Sequence, residues 1–432
     1  TSFADEANGS LWIGTMGAGL WRVPTDGGVA TPVDRMTRNR AAIPGGEQVM
    51  ALRHDSANNL WVGTLTGGVT RLAPNGTLLT FRAGADPARH LGADGIMSLY
   101  EDHSGRMWIG TFEGGVSIYD PQTATLTRLE DPSGANPWLS SVRAAAIVED
   151  LNGYVWIGTD GQGLLLVDPT SGLLRRYLED AQSADSLSSN AIYDLLVDAN
   201  GSLWIGTGGG GLDRLVGSSL KPAAVQFRNL GTRDGLPNAV VYGIEQDRSG
   251  NLWVSSNSGL SRLNPANNEI KTFHTPHGAQ GEEYNFGAHH QSRDGRLLFG
   301  GTDGYNDFDP RLLQLNERQP GLILTNLAIL NQDRLTGKSA HLPPMVELGY
   351  RENLLSIGFA ATDFTDPLKN SYMYQLVGFD NRWVSLGRRR QIDFTNLSPG
   401  SYTLNVRAAS SDSVWSDQGL SLPIVVRPAP WA

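Results

Sequence analysis

The chain has 432 residues, a net charge of −10, 52 glycines, 22 prolines and no cysteine. This length exceeds a single compact core, the negative charge argues against a nucleic-acid partner, and the lack of cysteine excludes disulfides and cysteine-based metal or nucleophile chemistry. Helical periodicity is nearly absent, which indicates an all-β protein. No apolar run approaches the length of a membrane span.

A short phrase close to Asp-x-x-Gly-x-Leu-Trp-Ile-Gly-Thr recurs seven times from the start of the chain, and the seventh copy, LLFGG at Leu297–Gly301, is degraded. Its anchor residues are Trp12, Trp61, Trp108, Trp156, Trp204, Trp253 and Leu298. Successive anchors are 49, 47, 48, 48, 49 and 45 residues apart. A period of about 40–50 residues, rich in β-forming and turn residues, is typical of a propeller blade. The repeats predict a seven-bladed β-propeller over residues 1–318.

Each position of the repeat has a physical role. The acidic residue six positions before the anchor and the Gly or Asn three before it are hairpin-turn chemistry, because Asp bonds the backbone ahead and Gly or Asn accepts positive φ. Asn58 replaces Gly in the second repeat. The Trp is best interpreted as packing between blades, where it buries a large apolar area. A ligand-binding role for the whole set of Trp residues is the weaker alternative.

The Gly-rich loops between the second and third strands differ among the repeats, although the scaffold is constant. Together with the connections between blades, they are expected on one face of the ring, around the channel mouth. Function usually lies on variable loops of a rigid frame. This pattern, together with His290 on the last inner strand, predicts a ligand-binding set: Phe112, Glu113, Trp138, Asp160, Gln162, Asn257, Asp303 and His290. The alternative is that these are tolerated loop residues without a ligand.

A cluster of potential metal ligands and acid–base groups precedes the last repeat: His274, His277, Glu282, Glu283, Tyr284, His289 and His290. It lacks a recognised metal spacing, so loop and core positions are the favoured interpretation. Because neighbouring strand residues point to opposite faces, we expect only one of His289 and His290 to face the channel. An enzymatic alternative, a lyase or glycosidase, depends on this cluster.

The repeat pattern ends, and a different residue pattern begins after a polar connector at Gln314–Pro320. Alternating apolar runs separated by turn signals predict an immunoglobulin-like β-sandwich over residues 319–432. Tyr402 follows a Pro-Gly turn, and either its hydroxyl caps that corner or it is an ordinary strand aromatic. Arg388–Arg390 is interpreted as a solvated loop, with contact to anionic lipid as the alternative.

Taken together, these residues resemble the two-component regulator propeller family. The tail is similar to the triple-tyrosine (Y_Y_Y) domain that follows such propellers, over Tyr372–Trp383, Phe394–Ala408 and Pro428–Trp431. The segment Tyr284–Pro310 is similar to the last blade before that domain. The family's usual upstream segment would complete the outer strand of the last blade. It is absent here, so either the native protein continues upstream or the ring closes differently.

The resemblance implies the periplasmic portion of a bacterial inner-membrane protein, with a membrane helix just after Trp431. The output module would be a histidine kinase, often a hybrid one, or a diguanylate cyclase. We expect a non-catalytic sensor without cofactor or metal that binds a small molecule such as an oligosaccharide. Binding would be relayed through the sandwich within a homodimer formed by the C-terminal domain. A protein-docking scaffold is a further alternative.

Overall fold

The computed structural model describes residues 2–6, 8–24, 30–32, 43–84, 90–131, 134–313, 319–334, 343–364, 366–411 and 414–431. The chain divides into two compact units, Thr1–Leu312 and Leu313–Ala432. Most of the predicted connector Gln314–Pro320, including the expected boundary after residue 318, lies outside the described residues.

The described residues of the first unit form seven antiparallel sheets, one for each repeat, which confirms the predicted seven-bladed propeller. In each blade the strands follow chain order from the inner edge outward. Blades 1–4 consist of β1 Ser2–Asp5, β2 Leu11–Gly14, β3 Leu20–Val23 and β4 Thr31–Pro32; β5 Val49–His54, β6 Leu60–Thr64, β7 Val69–Leu72 and β8 Leu78–Phe81; β9 Ile96–Glu101, β10 Met107–Thr111, β11 Val116–Asp120 and β12 Thr125–Arg128; and β13 Ala144–Glu149, β14 Val155–Thr159, β15 Gly163–Asp168 and β16 Gly172–Tyr177.

Blade 7 has three strands among the described residues, whereas blades 1–6 have four each. Blades 5–7 consist of β17 Ile192–Val197, β18 Leu203–Thr207, β19 Leu212–Val216 and β20 Gln226–Leu230; β21 Gly243–Gln246, β22 Leu252–Ser256, β23 Gly259–Asn264 and β24 Glu269–Phe273; and β25 Tyr284–Gln291, β26 Leu297–Gly301 and β27 Gly304–Phe308. Short 3-10 helices lie at Pro137–Ser141, Pro222–Ala224, Thr232–Asp234, Thr275–His277 and Pro310–Leu312.

The repeat aspartate bonds the anchor Trp as well as its own turn. In blade 2, one oxygen of Asp55 accepts the backbone N–H of Asn59 at 2.7 Å, and the other accepts the indole N–H of Trp61 at 2.8 Å. The turn bond was predicted, whereas the indole bond was not. The indole bond recurs in Trp108–Asp102, Trp156–Asp150, Trp204–Asp198 and Trp253–Asp247 at 2.8–3.0 Å. In blades 2–6 the six-residue spacing therefore provides the buried indole with an acceptor, as a buried N–H requires.

The ring closes where β25 lies beside β1. His290 Nε2 is 2.9 Å from Asp5 Oδ1, and the other Asp5 oxygen accepts the backbone N–H of Arg293 at 3.1 Å. Phe3 packs with Leu298 in a small apolar cluster at the same seam. No strand from the start of the chain joins the sheet of blade 7 within the described residues. Closure is therefore by packing and hydrogen bonds between two separate blades.

The second unit is a β-sandwich of two sheets around one apolar core, as predicted. One sheet has the strand order β29-β28-β31-β34 and the other β30-β36-β35-β32-β33, with β30 and β36 parallel. The strands are β28 Leu322–Ile329, β29 Gln332–Asp333, β30 Val346–Leu348, β31 Leu354–Ala361, β32 Ser371–Val377, β33 Asp380–Gly387, β34 Gln391–Thr395, β35 Gly400–Ala409 and β36 Leu420–Val426.

Two sequence interpretations concern turns of the sandwich. The Tyr402 hydroxyl donates to the carbonyl oxygen of Ser398 at 2.8 Å, so the corner-capping interpretation is confirmed. Arg388–Arg390 lies between β33 and β34, and all three side chains are exposed.

Candidate functional site

Backbone hydrogen bonds fix two of the loops that carry predicted site residues. The N–H of Phe112 donates to Gly95 O at 2.9 Å, and the N–H of Asp160 donates to Arg143 O at 2.9 Å. In both cases a Gly-rich loop is tied to the connection that precedes its own blade. These bonds hold the two variable loops in place against the start of the inner strand of their own blade.

Phe112, Glu113 and Trp138 lie in or beside blade 3. Phe112 is half-buried and Glu113 is exposed. Trp138 lies in the 3-10 helix Pro137–Ser141 and packs partly against the core between blades 3 and 4. The Arg176 guanidinium lies 4.4 Å from the centre of its ring. Trp138 therefore has a cation on its ring and is less free as a stacking surface than its sequence position indicates.

Asp160 and Gln162 share the loop of blade 4. Asp160 forms an ion pair with Arg143 at 2.8 Å, with about half of the arginine side chain exposed. The Oε1 atom of Gln162 is buried and has no hydrogen-bond partner among the described residues. An unpartnered buried acceptor is unusual in a folded protein and is compatible with a bound water or ligand group.

Asn257 and Asp303 are exposed on the loops of blades 6 and 7. The side-chain amide of Asn257 donates to the Tyr242 hydroxyl at 3.2 Å, and the backbone N–H of Asp303 donates to Gln280 Oε1 at 3.0 Å. Of the predicted residues, the structure thus brings Asn257 next to an aromatic residue that the sequence analysis did not single out.

An aromatic cluster forms part of this face. Tyr193 and Tyr242 stack with ring centres 5.8 Å apart and an angle of 9° between the planes, and Phe286 meets Tyr193 edge-on at 5.6 Å. Burial is the main cause of a raised pKa of the Tyr193 hydroxyl, and the nearby charge of Asp160 adds to it. The cluster therefore has predicted polar residues at its rim, Asp160 beside Tyr193 and Asn257 on Tyr242.

A cavity of about 530 Å³ occupies the centre of the ring and is lined by inner-strand residues of all seven blades. Its wall is both polar and apolar, and Met50, Met97 and Leu195 are among the apolar lining residues. Its carboxylates are Asp5, Asp194 and Glu245, and each of them contacts a histidine.

His289 links three blades across one side of this cavity. Its Nδ1 is 2.9 Å from Glu245 Oε1 and its Nε2 is 3.3 Å from Asp194 Oδ2. The imidazole ring of His289 lies over Gly243, and a Cβ atom added to this glycine would be 2.5 Å from His289 Cδ2. Burial by itself would lower the pKa of His289, but the charges and hydrogen bonds of the two carboxylates outweigh it and hold the pKa well above its ordinary value.

His290 points the other way, towards Asp5 of blade 1. The prediction that adjacent residues point to opposite faces is therefore confirmed, but the expectation that only one of the two histidines faces the channel is wrong, since both line the cavity. The reason is that the two faces of a blade sheet are directed towards neighbouring blades, so both sides of an inner strand border the central space.

Asp5 and His54 show how burial acts in this part of the cavity. Burial would raise the pKa of Asp5, but hydrogen bonds from His290 and from the Arg293 backbone, together with their charges, lower it. Burial lowers the pKa of His54. Both ring nitrogens of His54 are buried without a hydrogen-bond partner among the described residues.

The remaining members of the histidine and glutamate cluster lie elsewhere. His274 Nδ1 is 2.7 Å from Glu282 Oε2, beside the 3-10 helix Thr275–His277, and Glu283 is exposed. In the part of the chain that the structure describes, no three or more His, Cys, Asp or Glu are grouped to hold a metal ion. The sequence cluster is therefore divided between a blade connection and the central cavity.

The raised pKa of His289 predicts a pH-dependent stability. A group whose pKa is raised by folding contributes its full stability below its unfolded pKa of about 6.5, and this contribution is lost as pH rises through the folded pKa. The difference in melting temperature between the wild type and His289→Gln is expected to be largest near pH ~6 and to shrink towards pH ~9. Thermal unfolding across this range measures it, and a constant difference would contradict the proposed charge state.

Comparison with known families gives matches in both units. Residues 363–427 match the Y_Y_Y domain, and residues 90–113, 186–209 and 235–258 match the two component regulator propeller. The three propeller matches contain the anchors Trp108, Trp204 and Trp253. The chain combines a two-component regulator propeller with a Y_Y_Y domain.

Solved structures of similar fold cover this propeller and Y_Y_Y domain almost completely. The extracellular domain assigned to a hybrid two component system of B. thetaiotaomicron is 24% identical, with a TM-score of 0.80, over 99% of this chain and 55% of that chain. PorZ, a surface component of the type-IX secretion system of Porphyromonas gingivalis, is 15% identical, with a TM-score of 0.55, over 99% of this chain and 59% of that chain. At these identities the likeness shows the fold alone.

A curated relative of this chain is a histidine kinase. Histidine kinase P4 of Formosa agariphila is 30% identical over 184 residues, which are 41% of this chain and 13% of that protein. The chain thus matches a small part of a much longer protein. No helix of the described residues is long and apolar enough to cross a membrane.

Proposed function

We propose that this chain is the extracytoplasmic ligand-sensing region of a transmembrane signalling receptor, periplasmic and without catalytic activity of its own. The observation that carries the proposal is the presence of regulator-propeller repeats and a Y_Y_Y domain in one chain. The 30% identity to a histidine kinase supports a histidine kinase as the output module. A diguanylate cyclase is the alternative output module, since it would depend on a sensor region in the same way.

The loop face around the channel is the proposed binding site for a small molecule such as an oligosaccharide. Its half-exposed aromatic residues, the Arg143–Asp160 ion pair and the exposed Asn257 amide provide stacking and hydrogen-bonding groups together. Binding sites of this kind combine apolar surface with a few polar groups that orient the ligand. The net charge of −10 disfavours a nucleic acid as the ligand.

The cavity chemistry supports a sensor rather than a glycosidase. A glycosidase needs two carboxylates placed on either side of the bond to be cleaved. Here Asp194 and Glu245 both contact His289, and Asp5 contacts His290. These carboxylates serve as structural partners of histidines, which leaves them poorly placed as an acid and base pair.

Signal relay is proposed to run through the Y_Y_Y sandwich to a membrane segment after Trp431, within a homodimer formed by the C-terminal unit. Strand β33 is at the edge of its sheet and exposes Trp383 and Val384, as expected for a strand available for pairing. A ligand can drive such a relay only if it binds two states of the receptor with different affinities.

Thermal shift with a panel of plant and host oligosaccharides tests this function. At a ligand concentration of about 100 times Kd, binding is expected to stabilise the fold by about 2.7 kcal/mol and to raise the melting temperature by about 5 °C. Chromatography of the same samples should recover the sugars intact. Cleavage of any sugar would contradict the non-catalytic role, and a lack of shift across the panel would contradict oligosaccharide sensing.

A further inference from the structure

The inner strands of blades 2–5 carry an extra residue at the same point. In blade 2, Val49 pairs with Thr64 and Ala51 with Gly63, so Met50 is extra in the ladder. The same step makes Met97, Ala145 and Tyr193 the extra residues of blades 3, 4 and 5. A bulge of this kind re-aims the side chain of the extra residue, and bulges are frequent beside functional sites.

Blades 6 and 7 place aromatic residues at the corresponding point. Tyr242 immediately precedes β21 and donates its backbone N–H to Ser255 O at 2.9 Å. In blade 7 the register moves from Tyr284↔Gly301 to His289↔Phe299, five residues against two, so three extra residues include Phe286. These six residues, defined here as the bulge ring, are Met50, Met97, Ala145, Tyr193, Tyr242 and Phe286.

The bulge ring surrounds the entrance of the central cavity on the loop face. Met50, Met97, Ala145 and Tyr193 line the cavity directly, and Tyr242 and Phe286 pack against Tyr193. One side of the entrance therefore consists of apolar side chains that are flexible or small, whereas the other side consists of aromatic rings. Methionine adapts its shape to a ligand, and aromatic rings offer flat faces and edges.

We propose that the bulge ring is the specificity-determining part of the site and that its aromatic side binds a ring with a flat apolar face. Two kinds of ligand have this chemistry: the C–H face of a saccharide ring and an aromatic ring. Polar groups at the rim, the Tyr242 hydroxyl with Asn257 and the Arg143–Asp160 pair, are placed to bond substituents of that ring. The cavity volume of about 530 Å³ is within the usual range for small-molecule sites.

The proposal rests on the ligand-sensing function and refines it. It explains why the scaffold residues of the repeat are constant while the bulge residue varies in type, from Ala145 to Tyr242. Replacing this one residue in a blade changes the entrance without touching the Trp anchor or the turn aspartate.

Calorimetric titration of the whole chain with two probes tests it: N-acetyl-L-tryptophanamide for an aromatic ring and maltohexaose for a saccharide. We expect at least one probe to bind the wild type, and the double variant Tyr193→Ala, Tyr242→Ala to bind that probe at least about tenfold more weakly. The double variant Tyr193→Phe, Tyr242→Phe keeps both rings and should retain most of the affinity. Tyr154→Ala, on a hairpin turn away from the loop face, is the matched control and should bind normally.

The probe that binds shows whether the ligand ring belongs to a saccharide or to an aromatic compound. Equal affinity of the wild type and the double alanine variant would overturn the bulge-ring site while leaving the sensor function intact. Failure of both probes to bind the wild type at about 10 mM would also overturn it. The sensor function itself fails on a different result, the lack of response to the whole oligosaccharide panel. Melting temperatures of the variants distinguish lost binding from lost folding.

Discussion

Replacing Trp156 with alanine is expected to lower the free energy of unfolding of the propeller by about 3–5 kcal/mol. Trp156 is 1% exposed, and its ring packs against Tyr177 with centres 5.8 Å apart. The substitution removes this packing, leaves a cavity between blades and takes away the indole donor that reaches Asp150 at 2.9 Å. A partly buried carboxylate oxygen without its donor adds to the cost.

Urea denaturation, followed by far-ultraviolet circular dichroism, measures this loss. Trp138→Ala is the matched control, because Trp138 is only partly buried and does not belong to the repeat, so a loss of about 1–2 kcal/mol is expected. Equal losses for the two variants would contradict the role of the anchor. A double-mutant cycle of Trp156→Phe with Asp150→Ala isolates the hydrogen bond, for which we expect a coupling of about 1.5–3 kcal/mol.

Removing His289 is expected to have a comparable effect, although no large apolar group is lost. His289→Ala leaves Asp194 and Glu245 close together without the imidazolium between them, and their side chains are only 10% and 14% exposed. Removing one partner of a largely buried ionic network costs about 3–5 kcal/mol.

His103→Ala is the control for the His289 variant, since His103 also pairs with a glutamate, Glu149, but 68% of its side chain is exposed. Exposed pairs contribute about 0.2–1 kcal/mol. Gly243→Val provides a second route to the same network, because a side chain there would collide with His289 while all three ionic residues remain. If Gly243→Val were as stable as the wild type, the crossing of His289 over Gly243 would be wrong.

The repeat made most of the propeller predictable. Its period gave the blade count, its Asp and Gly gave the inner turns, and its buried Trp gave the packing between blades. The bond from Trp61 to Asp55 was not foreseen, although the constant spacing of six residues between them contains it. A constant distance between a carboxylate and an indole in six of the seven repeats is the signal that could have predicted the bond.

The aromatic part of the candidate site was missed for a different physical reason. Met50, Tyr193 and Tyr242 stand at one distance from their anchors, eleven residues before Trp61, Trp204 and Trp253, but they differ in residue type. A search for repeated residues passes over such a position. The extra residue in the strand register turns the Met50 and Tyr193 side chains towards the entrance, and a register shift is not visible in apolar alternation.

The seam between blades 1 and 7 also affects how the ring is made. Asp5 and His290 are 285 residues apart in the chain, whereas the strand pairs within a blade are close in sequence. During synthesis from the amino terminus, blades 1–6 can form as their residues emerge, each packing against the face of the one before it. The seam can form only after β25 has been synthesised. Closing so long a loop adds an entropic cost that pairing between strands close in sequence does not have. Assembly of the propeller therefore ends with a single late closure, and until then the face of blade 1 that carries Phe3 is exposed to unwanted partners.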